Sequence, residues 1–403
     1  MTIFSGSVIT FLIRIFGMLA LVCSYSLVSK NYTTSEFAEF SLIISILIIT
    51  GVFSKFGFDQ ILIRELAKID RALVYNHLFN AFLLSFSLTI IITLIVYLIY
   101  KDVVTTTAVF FFCFYSFLPE YYRALGNPIV YAIYRNLVFN FLLLVFLLLG
   151  FYFPQLSLKI SIFFAVIFAM LFNLFLLLSK FNEKQQFCFK KSIFIEIFKY
   201  AVPIFILQLG IVLQSYGFVL YLDLFGTDDD VAVYSIFING VLVFSMFSTS
   251  VGIFVAKDLA KYVATKKVSQ IRKMYFECCK TTALILLPAF VTIIIFSELI
   301  FNFLFEKSVV EYLLHFYIMC FAAFLSAILG PKFTMLNMLN NHMFLLKVSI
   351  IIQVLVFFIA FIFSSYSSII HVVSTLYAVS ILAVSLICFI RVFKLLVGKK
   401  NVY

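Results

Sequence analysis

The chain has 403 residues, 65% of them hydrophobic and 12% charged, with 55 Phe, no Trp and a formal net charge of +11. A soluble globular domain carries about twice that share of charge, so too little is present to clothe a water-facing surface. With a mean hydropathy of +1.18, the composition specifies a polytopic membrane protein with no room for a sizeable soluble domain, which excludes most membrane-anchored enzymes.

A bilayer-spanning helix needs roughly 20 residues. The first apolar run, 7–29, is too long for a leader core and lacks both a basic leader and a small-residue cleavage motif, so it is expected to be retained. Runs at 39–57, 77–100, 103–122, 129–152 and 158–179 follow, and a polar stretch at 180–196 then interrupts the pattern. Six more runs lie at 198–222, 231–255, 281–304, 311–330, 345–364 and 370–393. With both termini in the cytoplasm, Lys30, Lys101, Lys159 and Lys307 fall in outer loops, beside acids such as Asp223, Asp228, Asp229, Asp230 and Glu298. The other basic residues, Arg14 apart, gather at cytoplasmic ends, as the positive-inside rule requires. The basicity therefore sets orientation and meets anionic lipid, and no nucleic-acid partner is expected. The aspartate run at 228–230 reads as a solvated loop.

The two halves echo each other. Arg64-Glu65-Leu66-Ala67-Lys68 after helix 2 matches Lys257-Asp258-Leu259-Ala260-Lys261 after helix 8, and Phe40-Ser41 matches Tyr234-Ser235 at the mouths of those helices. Arg123-Ala124-Leu125-Gly126-Asn127 occupies the slot of Asn337-Met338-Leu339-Asn340-Asn341. Six helices per half return the chain to the same face, so the repeats are parallel. The expected architecture is all-α: lobes 1–185 and 186–403, of six helices each, around a central cleft suited to alternating access.

A charge in hydrocarbon costs about 2.5–3.5 kcal/mol on insertion scales. Arg14 is the deepest one, sharing a polar-and-small face of helix 1 with Thr10, Gly17 and Ser24. It either faces a cavity or snorkels to the inner headgroups. Lys55, a turn from the end of helix 2, allows the same two readings. Gln208 and Asn239 mark polar faces of helices 7 and 8, with Asn173, Gln214 and Gln353 as further amides of the kind that glue helices together. Pro119 is a candidate hinge within helix 4, while Pro203 and Pro288 fall early in helices 7 and 9. No acid lies near the middle of a run, so an anionic ligand fits better than a cation, and arginine's fork matches phosphate bidentately. There is no Walker loop, G-x-S-x-G, H-E-x-x-H or dinucleotide turn. The seven cysteines lack metal spacing and the four histidines are scattered. No enzyme, cofactor or metal is expected.

Phe56-Gly57-Phe58-Asp59-Gln60-Ile61-Leu62-Ile63-Arg64-Glu65-Leu66-Ala67, the Arg123 to Asn127 loop, Phe198-Lys199-Tyr200-Ala201-Val202-Pro203 and Val231-Ala232-Val233-Tyr234-Ser235 stand in the order of a known signature set. Together they resemble the Wzx-type O-antigen or capsule repeat-unit flippases of the multidrug/oligosaccharidyl-lipid/polysaccharide (MOP) exporter superfamily, which share the MATE-like fold. Lys55 and the amides at 340–341 depart from the pattern. The resemblance implies a bacterial cytoplasmic (inner) membrane protein that moves undecaprenyl-diphosphate-linked oligosaccharide to the outer leaflet. It also implies a polymerase and a chain-length regulator of the same pathway as partners. It assigns a cationic cavity to Arg14, Lys55, Arg64 and Arg123, joined by the polar Gln208 and Asn239, and a gating or structural role to Gly57, Asp59, Glu65, Pro119 and Pro203. The alternatives are a multidrug or cation antiporter of the same fold and a membrane polysaccharide polymerase.

Overall fold

The structure, a computed structural model, describes residues 3–58, 71–124, 127–153, 155–178, 191–265, 267–305, 309–339, 341–364 and 369–397. Among them, 12 helices are long and apolar enough to cross a membrane. They are α1 (Ile3–Asn31), α2 (Thr34–Lys55), α3 (Arg71–Tyr100), α4 (Val103–Ala124), α5 (Pro128–Ala132, a π-helical turn Ile133–Val138, then Phe139–Tyr152) and α6 (Leu158–Leu178). There follow α7 (Lys191–Val212, a π turn Leu213–Gly217, then Phe218–Phe225), α8 (Asp228–Ala264) and α9 (Val268–Leu304). The last three are α10 (Leu313–Ile328 and Lys332–Met338), α11 (His342–Ile362) and α12 (Ile369–Val397).

Each expected run coincides with one helix, and the differences lie at the ends. Helix α8 runs on to Ala264 and α9 starts at Val268, because backbone pairing continues through amphipathic turns that hydropathy does not register. The same effect starts α7 at Lys191, which puts Pro203 well inside a helix rather than in its first turn. Pro288 is likewise deep in α9.

Helices α2 and α8 start with the same device. Thr33 accepts from the Glu36 N–H at 3.3 Å while Glu36 accepts from the Thr33 N–H at 2.9 Å. Thr227 and Asp230 repeat this capping box at 3.2 and 3.0 Å. The aspartate run is thus the first turn of α8, where carboxylates meet the positive end of the helix dipole.

Packing divides the chain into two units, Met1–Val212 and Leu213–Tyr403. The expected junction at 185/186 lies outside the described residues. One pattern of neighbours recurs in both units: α4 packs on α2, α3 and α6, and α6 on α5, while α10 packs on α8, α9 and α12, and α12 on α11. Beyond the shared capping boxes, this is the strongest structural trace of the repeat.

At one end of the first unit, Lys159 Nζ lies 2.6 Å from Glu39 and 3.1 Å from Asp102. Asp102 also caps α4, accepting from the Val104 N–H at 3.0 Å and the Thr105 hydroxyl at 2.8 Å. Burial alone would raise its pKa, but the hydrogen bonds from Thr105, Lys159 and Val104 outweigh that and hold it below the ordinary carboxylate value.

Candidate functional site

In the first unit, Arg14 and the end of α2 approach the same end of the bundle. Counted from the α1–α2 connection at 1.5 Å per residue, Arg14 stands about 26 Å along α1 and Lys55 about 33 Å along α2. Arg14 is half-buried. Three residues on, Gly17 meets the backbone of α5 so closely that an added Cβ would strike the Asn136 carbonyl. Asn140 Nδ2 donates to the Gly17 carbonyl at 3.0 Å. The small face seen in the sequence therefore seats α1 against another helix, with Arg14 at the edge of that seat.

The partner surface is the π turn of α5, and it carries an arginine that the sequence reading passed over. A π turn misaligns backbone pairs, and here Tyr115 of α4 repairs the mismatch. Its buried hydroxyl donates to the Tyr134 carbonyl and accepts from the Phe139 N–H at 3.2 Å. Arg135, between Tyr134 and the Asn136 that touches α1, is half-buried. It stands one residue beyond the Tyr134 carbonyl that the buried Tyr115 hydroxyl holds. Among the described residues no carboxylate pairs with it. The signal was a bare arginine seven residues into an otherwise apolar run.

Lys55, 5% exposed, ends α2. Beside it, Ser54 Oγ lies 3.0 Å from Ser116 Oγ on α4 and donates to the Cys113 carbonyl at 3.2 Å. Phe56 then turns left-handed (φ 45°) and Gly57 follows at φ 75°. A Cβ on Gly57 would lie 2.8 Å from the Ala201 carbonyl and 2.9 Å from the Phe205 nitrogen. Phe56 stacks on Phe205 at 4.6 Å, and Phe58 is buried among Phe117, Leu118, Tyr121, Tyr122 and Ala201. The Phe-Gly-Phe motif is thus a tight turn that fits α2 onto α7 and α4. It brings Lys55 and Gly57 to the segments that bear Pro119 and Pro203. Asp59, Arg64 and Glu65 lie outside the described residues. Arg123 lies in the last turn of α4, with its side chain likewise outside them.

Gln208 of α7 is half-buried in the first unit. In the second unit Asn239 is buried and spends its amide on the Ser235 carbonyl of its own helix at 2.7 Å. The most buried cation among the described residues there, Lys332, lies just past the apolar run 311–330. Helix α10 breaks at Gly330 (φ 77°), where a Cβ would come 2.5 Å from Cys279 Sγ. Lys332, 3% exposed, opens its second piece. The Lys332 ammonium donates back across the break to the Ser326 carbonyl at 2.5 Å and sits 3.3 Å from Ser326 Oγ, itself 2.6 Å from Ser385 Oγ. Tyr275 caps the freed Leu329 carbonyl at 2.7 Å. No described carboxylate pairs with Lys332.

The signal for it was Pro331-Lys332 matching Pro119-Glu120, a proline followed by a buried charge in the fourth helix of each half; Glu120 is 2% exposed. The amide at 341 has company as well, since Arg391 of α12 donates to Asn341 Oδ1 at 3.1 Å. Two of the four histidines, His315 and His371, meet in the second unit with ring centroids 4.0 Å apart and planes tilted by 37°.

Such an architecture has relatives among solved structures. An inward-facing multidrug resistance MATE family transporter of the MOP superfamily matches with a TM-score of 0.72, over 98% of this chain and 100% of that one, at 14% identity. The fold is that of MOP-superfamily transporters. The lipid II flippase MurJ in an inward closed conformation matches at a TM-score of 0.69 and 15% identity, over 99% and 94% of the two chains. A MOP-superfamily transporter from Pyrococcus furiosus, in which reversed polarity of the binding pocket suggests a different function, matches at 0.67 and 15% identity, over 98% and 96%. No family sequence model and no curated protein matches the chain.

Proposed function

We propose that the chain flips undecaprenyl-diphosphate-linked O-antigen or capsule repeat units across the bacterial cytoplasmic membrane by alternating access, from the cytoplasmic to the outer leaflet. The observation that carries this reading is the excess of positive charge set into the spans of the first unit, where Glu120 is the buried acid among the described residues. Arg14, Lys55 and Arg135 all lie toward one end of it, and Arg135 has no carboxylate partner among the described residues. A diphosphate is the kind of headgroup such a set holds, while the polyprenyl tail need never leave lipid. Arg64 and Arg123 would join the set, with Gln208 and Asn239 as polar contacts to sugar. Moving negative charge outward is downhill by about 2.3 kcal/mol per charge per 100 mV in a cell negative inside. A polymerase and a chain-length regulator would take the product onward.

The lipid II flippase and the transporter of reversed pocket polarity, both of this fold, support the reading. The multidrug or cation antiporter alternative draws on the MATE likeness and on buried Glu120. Complementation of a strain lacking its repeat-unit flippase separates the two. Arg14→Ala and Arg135→Ala should abolish surface polymer at normal membrane abundance, and the Lys versions should retain part of it. Full polymer from both Ala variants would remove the cationic site. Dye efflux lost on Glu120→Gln, with no polymer from the parent, would establish the antiporter instead.

A further inference from the structure

At the basic end of the second unit, an open groove of about 490 Å³ lies between the start of α9 and the end of α12, with the exposed Arg272 and Lys273 on its rim. Its lining is two-sided. Arg272, Lys273 and Ser269 supply charge and a hydroxyl, and Phe276, Leu396 and Val397 supply apolar wall. Arg272 has no ion-pair or hydrogen-bond partner among the described residues, and Lys273 has only a 4.0 Å exposed contact with Glu277. Lys280 and Lys394 add positive charge nearby in sequence.

Depth decides what can reach the groove. Helix α12 has 29 residues, about 43 Å at 1.5 Å per residue, which matches the 40–45 Å of a bilayer with its headgroups. Its last two residues, Leu396 and Val397, therefore stand at headgroup level, and Arg272 and Lys273 stand beside them. From there, exposed Leu287, on the Phe276 face of α9, and exposed Phe393 of α12 continue into the hydrocarbon, where acyl chains would lie. A wholly aqueous anion would leave the apolar wall unused, and a neutral lipid would leave Arg272 unmatched.

We propose that this groove binds the headgroup of an anionic phospholipid, with Arg272 and Lys273 on the phosphate and the acyl chains over Phe276. The site is separate from the proposed substrate cations and does not depend on what the protein transports. Because the chain has no Trp, a single Trp reports on one place. Phe276→Trp in the full chain, reconstituted in phosphatidylcholine vesicles, is titrated with brominated phosphatidylglycerol or brominated phosphatidylcholine. Quenching should favour the anionic lipid by about thirtyfold, the order expected of two cations near a membrane surface at about 1 kcal/mol each. Arg272→Gln with Lys273→Gln should erase that preference, and Leu299→Trp, at the far end of α9, should show none. Equal quenching by both lipids, a preference that survives the double substitution, or the same preference at position 299 would each overturn the proposal.

Discussion

Asp102 ties three helices together through one carboxylate, because it caps α4 and shares Lys159 with Glu39. Its pKa is lower in the folded protein than in the unfolded chain. Its stabilisation is therefore present above the ordinary carboxylate value of about 3.9 and is lost as pH falls through the depressed one. Asp102→Ala should lower stability at pH 7 by about 1 kcal/mol, mainly through the lost cap, since the partly exposed ion pair adds little. The gap between parent and variant in detergent should narrow as pH falls through that depressed value; a gap of constant size there would show that the charge is not involved. Residues such as this one were legible only in part. Lys159 and Asp102 could be placed on the outer face by charge sorting, but not joined, because nothing local in the sequence links α4 to α6. Arg135 and Lys332 escaped for the opposite reason. Arg135 is a lone cation inside an apolar run and Lys332 one just past the end of another, and hydropathy averages over each whether it faces lipid, water or the interior.

The helices themselves were legible because about 20 apolar residues announce a span whatever its neighbours. What hydropathy does not encode is the local pitch, so the π turns in α5 and α7 and the break in α10 appear only in the structure. The α5 turn has a definite cost and a definite remedy. Gly17 allows α1 to lie on its backbone, and the Tyr115 hydroxyl satisfies a carbonyl and an N–H that the altered pitch leaves apart. Tyr115→Phe removes that hydroxyl while keeping the ring, which packs on Phe112 and Phe139. Two buried backbone groups would then be orphaned, at about 1–3 kcal/mol for each group left unsatisfied. The variant should unfold at a clearly lower temperature in detergent, with faster amide exchange confined to 132–139. Unchanged exchange in that segment would mean the turn holds itself.

At the scale of the whole chain, sequence and packing place the internal division differently. The polar stretch at 180–196 is where composition separates two sets of six spans, and that reading follows from hydropathy alone. Packing moves the boundary to Val212–Leu213, because the first part of α7 packs on α2 and α3. Phe205 lies 5.1 Å from Phe53 and 4.6 Å from Phe56, and Ala201 is fully buried in the cluster around Phe58. A fragment ending at 190 would strip those partners away and expose the left-handed turn at Phe56-Gly57, with its aromatic rings, to lipid. Stacked rings contribute about 0.5–1.5 kcal/mol per pair beyond the area they bury, and Gly57 loses the α7 backbone it was shaped to meet. A fragment ending at 225 retains all of them. Expressed alone, 1–225 should accumulate in the membrane and resist limited proteolysis between α2 and α3, whereas 1–190 should be cut there and degraded. Equal protease resistance of the two fragments would return the boundary to the polar stretch, and would make the seventh helix a passenger of the second half.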